Sequence, residues 1–74
     1  MKNNVEQLRK QRNLTQETFA DMLEVSRQTI GSIENGRYNP SILLAFKIAQ
    51  LFELPIEEIF IYEMGGGEDE IEAI

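Results

Sequence analysis

Cysteine and histidine are both absent from the 74 residues. Without cysteine there is no disulfide, no thiolate metal site and no thiol nucleophile. Without histidine the chain lacks the commonest general base near neutral pH and the commonest metal ligand. Ser26, Ser32 and Ser41 therefore have no imidazole to activate them. Glu57 and Glu58 adjoin, but at an expected helix start, where solvated acids complement the backbone dipole. Gly65-Gly66-Gly67 is not followed by a basic helix start, so it does not cradle phosphate. The expectation is a binding module rather than an enzyme, with no cofactor, no metal and no small-molecule ligand. Long apolar runs are missing too. Met1-Lys2-Asn3-Asn4 leads into a polar amphipathic segment, so neither a secretion leader nor a membrane span is expected, and the location expected is cytoplasmic.

Basic residues are also scarce, seven against thirteen acidic, for a net charge of −6. The distribution matters more than the sum. Through Phe52 the chain carries all seven basic residues and five acidic ones; from Glu53 onward it carries eight acids and no base. The acidity is mostly a C-terminal property. A chain of this length makes one small domain, and such a core leaves only ~3–5 kcal/mol of net stability, which a second copy would supplement. Residues 1–62 are read as that domain. Residues 63–74, a glycine break followed by Glu68-Asp69-Glu70-Ile71-Glu72-Ala73-Ile74, read as a disordered acidic tail. Its functional alternative is an acidic arm that competes with phosphate for Arg27 or Arg37.

What is present in quantity is helical periodicity. Residues 15–35 read as two short helices joined by a tight turn. Thr15 and Ser26 are placed to cap them, because a hydroxyl at that position accepts a free N–H of the first turn. Phe19, Ala20 and Leu23 give the first of the two an apolar face; Ile30 and Ile33 do so for the second. Gln28, Ser32 and Asn35 fall at i, i+4 and i+7 on another side. That side offers amide and hydroxyl groups, with the Arg27 guanidinium beside them, and these groups can read base edges in a major groove. Around this pair, a helix is expected over residues 4–12, with Val5 and Leu8 inward, Glu6 and Lys10 paired on the surface, and Asn13 in a left-handed stop. A fourth helix is expected from a Ser41 cap to Phe52, with Ile42, Ala45, Ile48, Ala49 and Phe52 forming a stripe that Leu44, Phe46 and Leu51 widen. Leu43 falls on its polar side, either as a lone exposed leucine or as part of a contact with a second copy. A short fifth helix starts near Pro55. The run Ile59-Phe60-Ile61-Tyr62 either finishes the core or forms an edge that pairs with a second copy.

The words Leu14-Thr15-Gln16-Glu17, Phe19-Ala20, Val25-Ser26-Arg27-Gln28-Thr29-Ile30 and Ile33-Glu34-Asn35-Gly36-Arg37, in that order and spacing, resemble the helix-turn-helix of the Cro and phage-repressor family. The resemblance covers roughly residues 5–60. It implies an all-α fold, a compact five-helix lambda-repressor-like DNA-binding domain. It implies a sequence-specific transcriptional regulator, a repressor, that binds double-stranded DNA as a homodimer and inserts the helix 27–35 in the major groove. By position in the motif, Arg27, Gln28, Ser32 and Thr29 are the expected base readers. Thr15, Gln16, Asn35, Arg37 and Tyr38 are the expected phosphate contacts. Arg9 and Glu34 stand where relatives carry a buried structural pair. Glu24 occupies a turn position where the family often has glycine, which implies either local strain or a slightly different turn, and Thr18 replaces the glutamate of a capping box. Gly31 is either a neutral choice or a place where no side chain is wanted against DNA. The alternative function on the same scaffold is an antitoxin or protein-interaction module.

Overall fold

The computed structural model describes residues 1–62, so the expected tail at 63–74 lies outside the described residues. The element order is β1 (Lys2–Asn3), α1 (Val5–Gln11), α2 (Gln16–Leu23), α3 (Arg27–Glu34), α4 (Ile42–Phe52), α5 (Ile56–Ile59) and β2 (Phe60–Ile61). Three hydroxyls start three of the helices. Thr15 Oγ1 accepts from Thr18 N at 3.0 Å, Ser26 Oγ from Thr29 N at 3.1 Å, and Ser41 Oγ from Leu44 N at 3.1 Å. Each such cap contributes about 1 kcal/mol. At α2 the missing capping-box glutamate is replaced by a hydroxyl pair, with Thr15 Oγ1 donating to Thr18 Oγ1 at 3.0 Å.

Helix stops follow the same local logic. Asn13 (φ 58°) lies beyond α1, and Glu24 (φ 63°) ends α2. Glu53 (φ 58°) ends α4, and Gly36 (φ 82°) turns the chain after α3. The strain expected at Glu24 is thus present as a left-handed backbone, a conformation that costs an L-residue roughly 1–2 kcal/mol. Its carboxylate stands 3.7 Å from Lys47 Nζ on α4, an exposed pair.

The core gathers one or two residues per turn from every helix. Val5, Phe19, Ile30, Ile33, Ile48 and Ile59 are fully buried, and Phe52 nearly so. Each contributes on the order of 1.5–3 kcal/mol by leaving water. Phe19 and Phe52 stack with ring centroids 5.4 Å apart. Arg12 lays its guanidinium over the Phe52 ring at 5.3 Å and donates Nη2 to the Phe52 carbonyl at 2.8 Å, covering one edge of the core and the end of α4.

On α4 the expected stripe is too wide. Leu44, Ala45, Ile48, Ala49 and Phe52 are buried, but Ile42 is 69% and Phe46 52% exposed. At about 100° per residue, Ile42 and Phe46 lie roughly 90° and 130° round the axis from the centre of the buried arc. Eleven residues of this composition carry more apolar groups than one face can cover. Leu43 is exposed, as its side of the helix implies.

The run 59–62 divides. Ile59 and Phe60 are buried, while Ile61 and Tyr62 face solvent. Phe60–Ile61 pairs within its own chain, antiparallel to Lys2–Asn3, with Lys2 opposite Ile61 and Asn3 opposite Phe60. The expected all-helical architecture therefore carries one short two-stranded addition. Asn4 N extends the pairing by donating to Ile59 O at 2.8 Å. Asn3 uses both ends of its amide: Oδ1 accepts from Val5 N at 3.0 Å, and Nδ2 donates to Ile33 O at 2.8 Å. One side chain thus serves the start of α1 and the rear of α3. Among the described residues, no helix is long and apolar enough to cross a membrane.

Candidate nucleic-acid interface

α2 and α3 pack closely across a turn at residues 24–26, where Val25 N returns to Ala20 O at 3.0 Å. Burial of Phe19, Ala20 and Leu23 against Ile30 and Ile33 fixes which side of α3 looks outward. On that side Arg27 and Gln28 are exposed and Ser32 is half-buried. None of these three uses its side chain in a hydrogen bond or ion pair among the described residues. Thr29 differs. It is half-buried, and its hydroxyl lies 2.9 Å from Ser26 Oγ. Ser26, Gln28, Thr29, Ser32 and Tyr38 together line a notch of about 220 Å³. The four expected base readers therefore share one helix, and three of them share one concavity.

The expected phosphate contacts separate into two groups. Thr15 and Gln16 sit at the start of α2, where free backbone N–H groups and the positive end of the helix dipole favour an anion. The Thr15 hydroxyl is occupied by its cap and by Thr18. Gln16 donates one amide hydrogen from Nε2 to Glu34 Oε1 at 3.0 Å, which leaves it a second. Asn35, Arg37 and Tyr38 follow α3. Asn35 Oδ1 accepts from Arg37 N at 3.0 Å, and both Arg37 N and Tyr38 N return to Ser32 O, at 3.0 and 3.1 Å. The loop thereby folds back on the outward side of α3. It brings Tyr38 beside Ser32 in the notch, whereas Arg37 stays exposed without a carboxylate partner among the described residues.

Behind this surface lies a closed polar knot. Arg9 Nε donates to Glu34 Oε2 at 2.7 Å, Nη2 to Oε1 at 3.3 Å, and Nη1 to Leu14 O at 2.7 Å. The two side chains are 8% and 4% exposed. With Gln16 added, the Glu34 carboxylate receives three donors, and no buried side-chain polar atom among the described residues lacks a partner. The knot joins α1, the loop before α2, the start of α2 and the end of α3. Sequence spacing gave no sign of the Gln16 contact or of Asn3, because both depend on how helices distant in sequence meet. At Gly31 an added Cβ would lie 3.9 Å from Gln16 Nε2, an ordinary contact, so the fold itself does not require glycine there. The pair Glu6–Lys10, 3.0 Å apart on α1, is exposed by contrast. The Lys10 hydrogen bond and charge hold the Glu6 carboxyl below its usual value. No cluster of three or more potential metal ligands occurs among the described residues.

With this geometry in place, the relatives are informative. A profile of the helix-turn-helix family HTH_3 matches residues 5–59, the span from the first residue of α1 to the last of α5. An HTH-type transcriptional regulator of Methanocaldococcus jannaschii is 59% identical over 63 residues, covering 85% of this chain and 96% of that one. Control protein C.MunI of a Mycoplasma species is 36% identical over 59 residues, covering 78% and 80%. Among solved structures, the restriction-modification controller protein C.AhdI from Aeromonas hydrophila matches with a TM-score of 0.69 at 30% identity, covering 77% and 86%. The chain belongs to the HTH_3 helix-turn-helix family, of the Cro/C1 type, and its relatives are HTH-type transcriptional regulators.

Proposed function

We propose that this regulator binds double-stranded DNA sequence-specifically as a repressor, with α3 entering the major groove, its N-terminal half leading. The observation that carries the reading is the outward side of α3. The side chains of Arg27, Gln28 and Ser32 have no partners among the described residues, while the Arg9–Glu34 pair behind them is fully engaged. Arg27 suits the O6 and N7 acceptors of guanine, and Gln28 suits N6 and N7 of adenine, each good bidentate pair giving ~1–3 kcal/mol of discrimination. The start of α2, with the second amide hydrogen of Gln16, faces a phosphate on one side of the groove; Asn35 and Arg37 face another. Phosphate contacts set register and salt dependence, and base contacts set sequence preference. Few cations line this surface, so the salt slope is modest, about 0.9 per neutralised phosphate. The repressor role rests on the resemblance to Cro and phage repressors.

Two copies on half-sites ~34 Å apart supply the affinity that one weakly charged copy lacks. The face we assign to the second copy is the exposed pair Ile42 and Phe46, one turn apart on α4. Beside them runs an apolar groove of about 320 Å³ that Pro40, Ala45, Ile56 and Phe60 help to line. The same pair is what favours the second reading, an antitoxin or protein-interaction module. Retention of mixed genomic fragments at low and moderate salt separates the two. Sequence-selective retention that is lost in both Arg27→Ala and Gln28→Ala supports the regulator. Indifference to both substitutions selects the protein-partner module. Light scattering of Phe46→Glu, expected to move a dimer to monomer mass, tests the assigned face.

A further inference from the structure

We infer that Tyr38, expected from sequence to grip a phosphate, instead forms one wall of a base-pair reader that accepts the 5-methyl group of a thymine. This rests on the proposed entry of α3 into the major groove and goes beyond it by naming the pair that the notch takes. Three observations carry it. First, the loop after α3 is built to bring Tyr38 back to the helix. Gly36 turns at φ 82°, Asn35 Oδ1 holds Arg37 N, and Tyr38 N bonds Ser32 O at 3.1 Å. The side chain remains 48% exposed and lines the notch with Gln28, Thr29 and Ser32.

Second, the lining holds no charge. Neither Arg27 nor Arg37 contributes to it. A phosphate draws charge-assisted donors most strongly, although neutral hydroxyls and amides also meet it; the notch offers an amide, hydroxyls and an aromatic ring, and no cation. Third, the Thr29 hydroxyl already bonds Ser26 at 2.9 Å, and the γ-methyl is the apolar group that this notch-lining side chain can offer. The notch thus combines a Gln28 amide, able to donate and accept at once, with two apolar surfaces, the Thr29 methyl and the Tyr38 ring. In the major groove only an A·T pair combines an adjacent acceptor and donor on one base with a methyl group on the other.

The test begins with selection of a preferred duplex from a random pool using the full chain. Each thymine of the selected half-site is then replaced by uracil, which removes the methyl and keeps the pairing. One replacement in a single half-site is expected to weaken binding about fourfold, the effect of one buried methyl-sized group. In Tyr38→Ala the same replacement has no effect, whereas Tyr38→Phe retains it. Equal uracil sensitivity in wild type and Tyr38→Ala overturns the inference, as does uracil insensitivity at every position. So does a uniform loss of affinity in Tyr38→Phe together with an unchanged uracil response in Tyr38→Ala, the signature of a phosphate contact. If selection yields a preferred duplex and only the uracil result fails, the regulator reading stands without this inference. If no preferred duplex emerges, both fall. Circular dichroism of the two Tyr38 variants confirms that they fold.

Discussion

The two sides of α3 carry similar chemistry and put it to opposite uses. Glu34, on the inward side near the helix end, receives Arg9 twice and Gln16 once and is almost sealed from water. Arg27 and Gln28, at the other end, are exposed and bond nothing among the described residues. A charged or amide side chain is therefore not functional or structural by type. Its partner count decides: a satisfied group fixes the helix, and an unsatisfied exposed one is available to a ligand.

The sharpest way to break this contrast is Arg9→Ala. Removing one member of a buried pair strands the other, at a cost of about 3–5 kcal/mol. For a domain whose whole net stability is of that order, thermal unfolding followed by circular dichroism should show about half of the native signal lost at 25 °C. An unchanged melting temperature would refute a structural role for the knot. Next in size are Arg27→Ala and Gln28→Ala. Each should weaken specific DNA binding by about 1–3 kcal/mol in a titration and leave the melting temperature within about 4 °C of wild type. A large loss of stability in either would erase the distinction between the two sides.

Gly31→Ala comes third and separates the backbone from the side chains. Helix propensity favours alanine by about 1 kcal/mol, which should raise the melting temperature by several degrees. If α3 approaches DNA closely at this point, affinity falls while stability rises; if affinity holds, the glycine is neutral. The smallest effect belongs to Glu6→Gln. The Glu6 carboxyl is held low by Lys10, so its pair stabilises the fold above the usual carboxylate range and is lost as pH falls through the lowered value. Both groups are exposed, so the substitution should barely change a melting curve at pH 7, and added salt should abolish any difference. A pronounced acid-side difference between wild type and variant would show that the pair is less screened than its exposure implies.

Local features were legible in the chain because their causes are local. Thr15, Ser26 and Ser41 cap as a hydroxyl before an apolar turn should, and Asn13 stops α1 in the left-handed region. The Arg9–Glu34 pair was legible only through the family resemblance, since no spacing rule relates positions on separate helices. Glu53 in a left-handed stop escaped notice because glutamate has no preference for that conformation. Ile42 and Phe46 were misread because periodicity identifies apolar residues and cannot say how wide an arc the neighbours cover. An edge at residues 59–62 was one open alternative, but its partner within the chain, Lys2–Asn3, escaped because two residues give no alternation to detect. At the site, the outward residues of α3 followed from periodicity. The return of Tyr38 to the notch did not, because it depends on loop hydrogen bonds to Ser32.

The pairing of Lys2–Asn3 with Phe60–Ile61 has one further consequence. It is a clasp across almost the whole described chain, closed over the longest stretch of sequence in the fold. Such a closure is expected to open before the helices it joins. Because Asn3 also holds the Ile33 carbonyl, each opening of the clasp loosens the back of the helix whose front meets the ligand. Amide exchange at Asn4, whose N–H bonds Ile59 across that closure, would therefore time a breathing motion that ends at the reading surface.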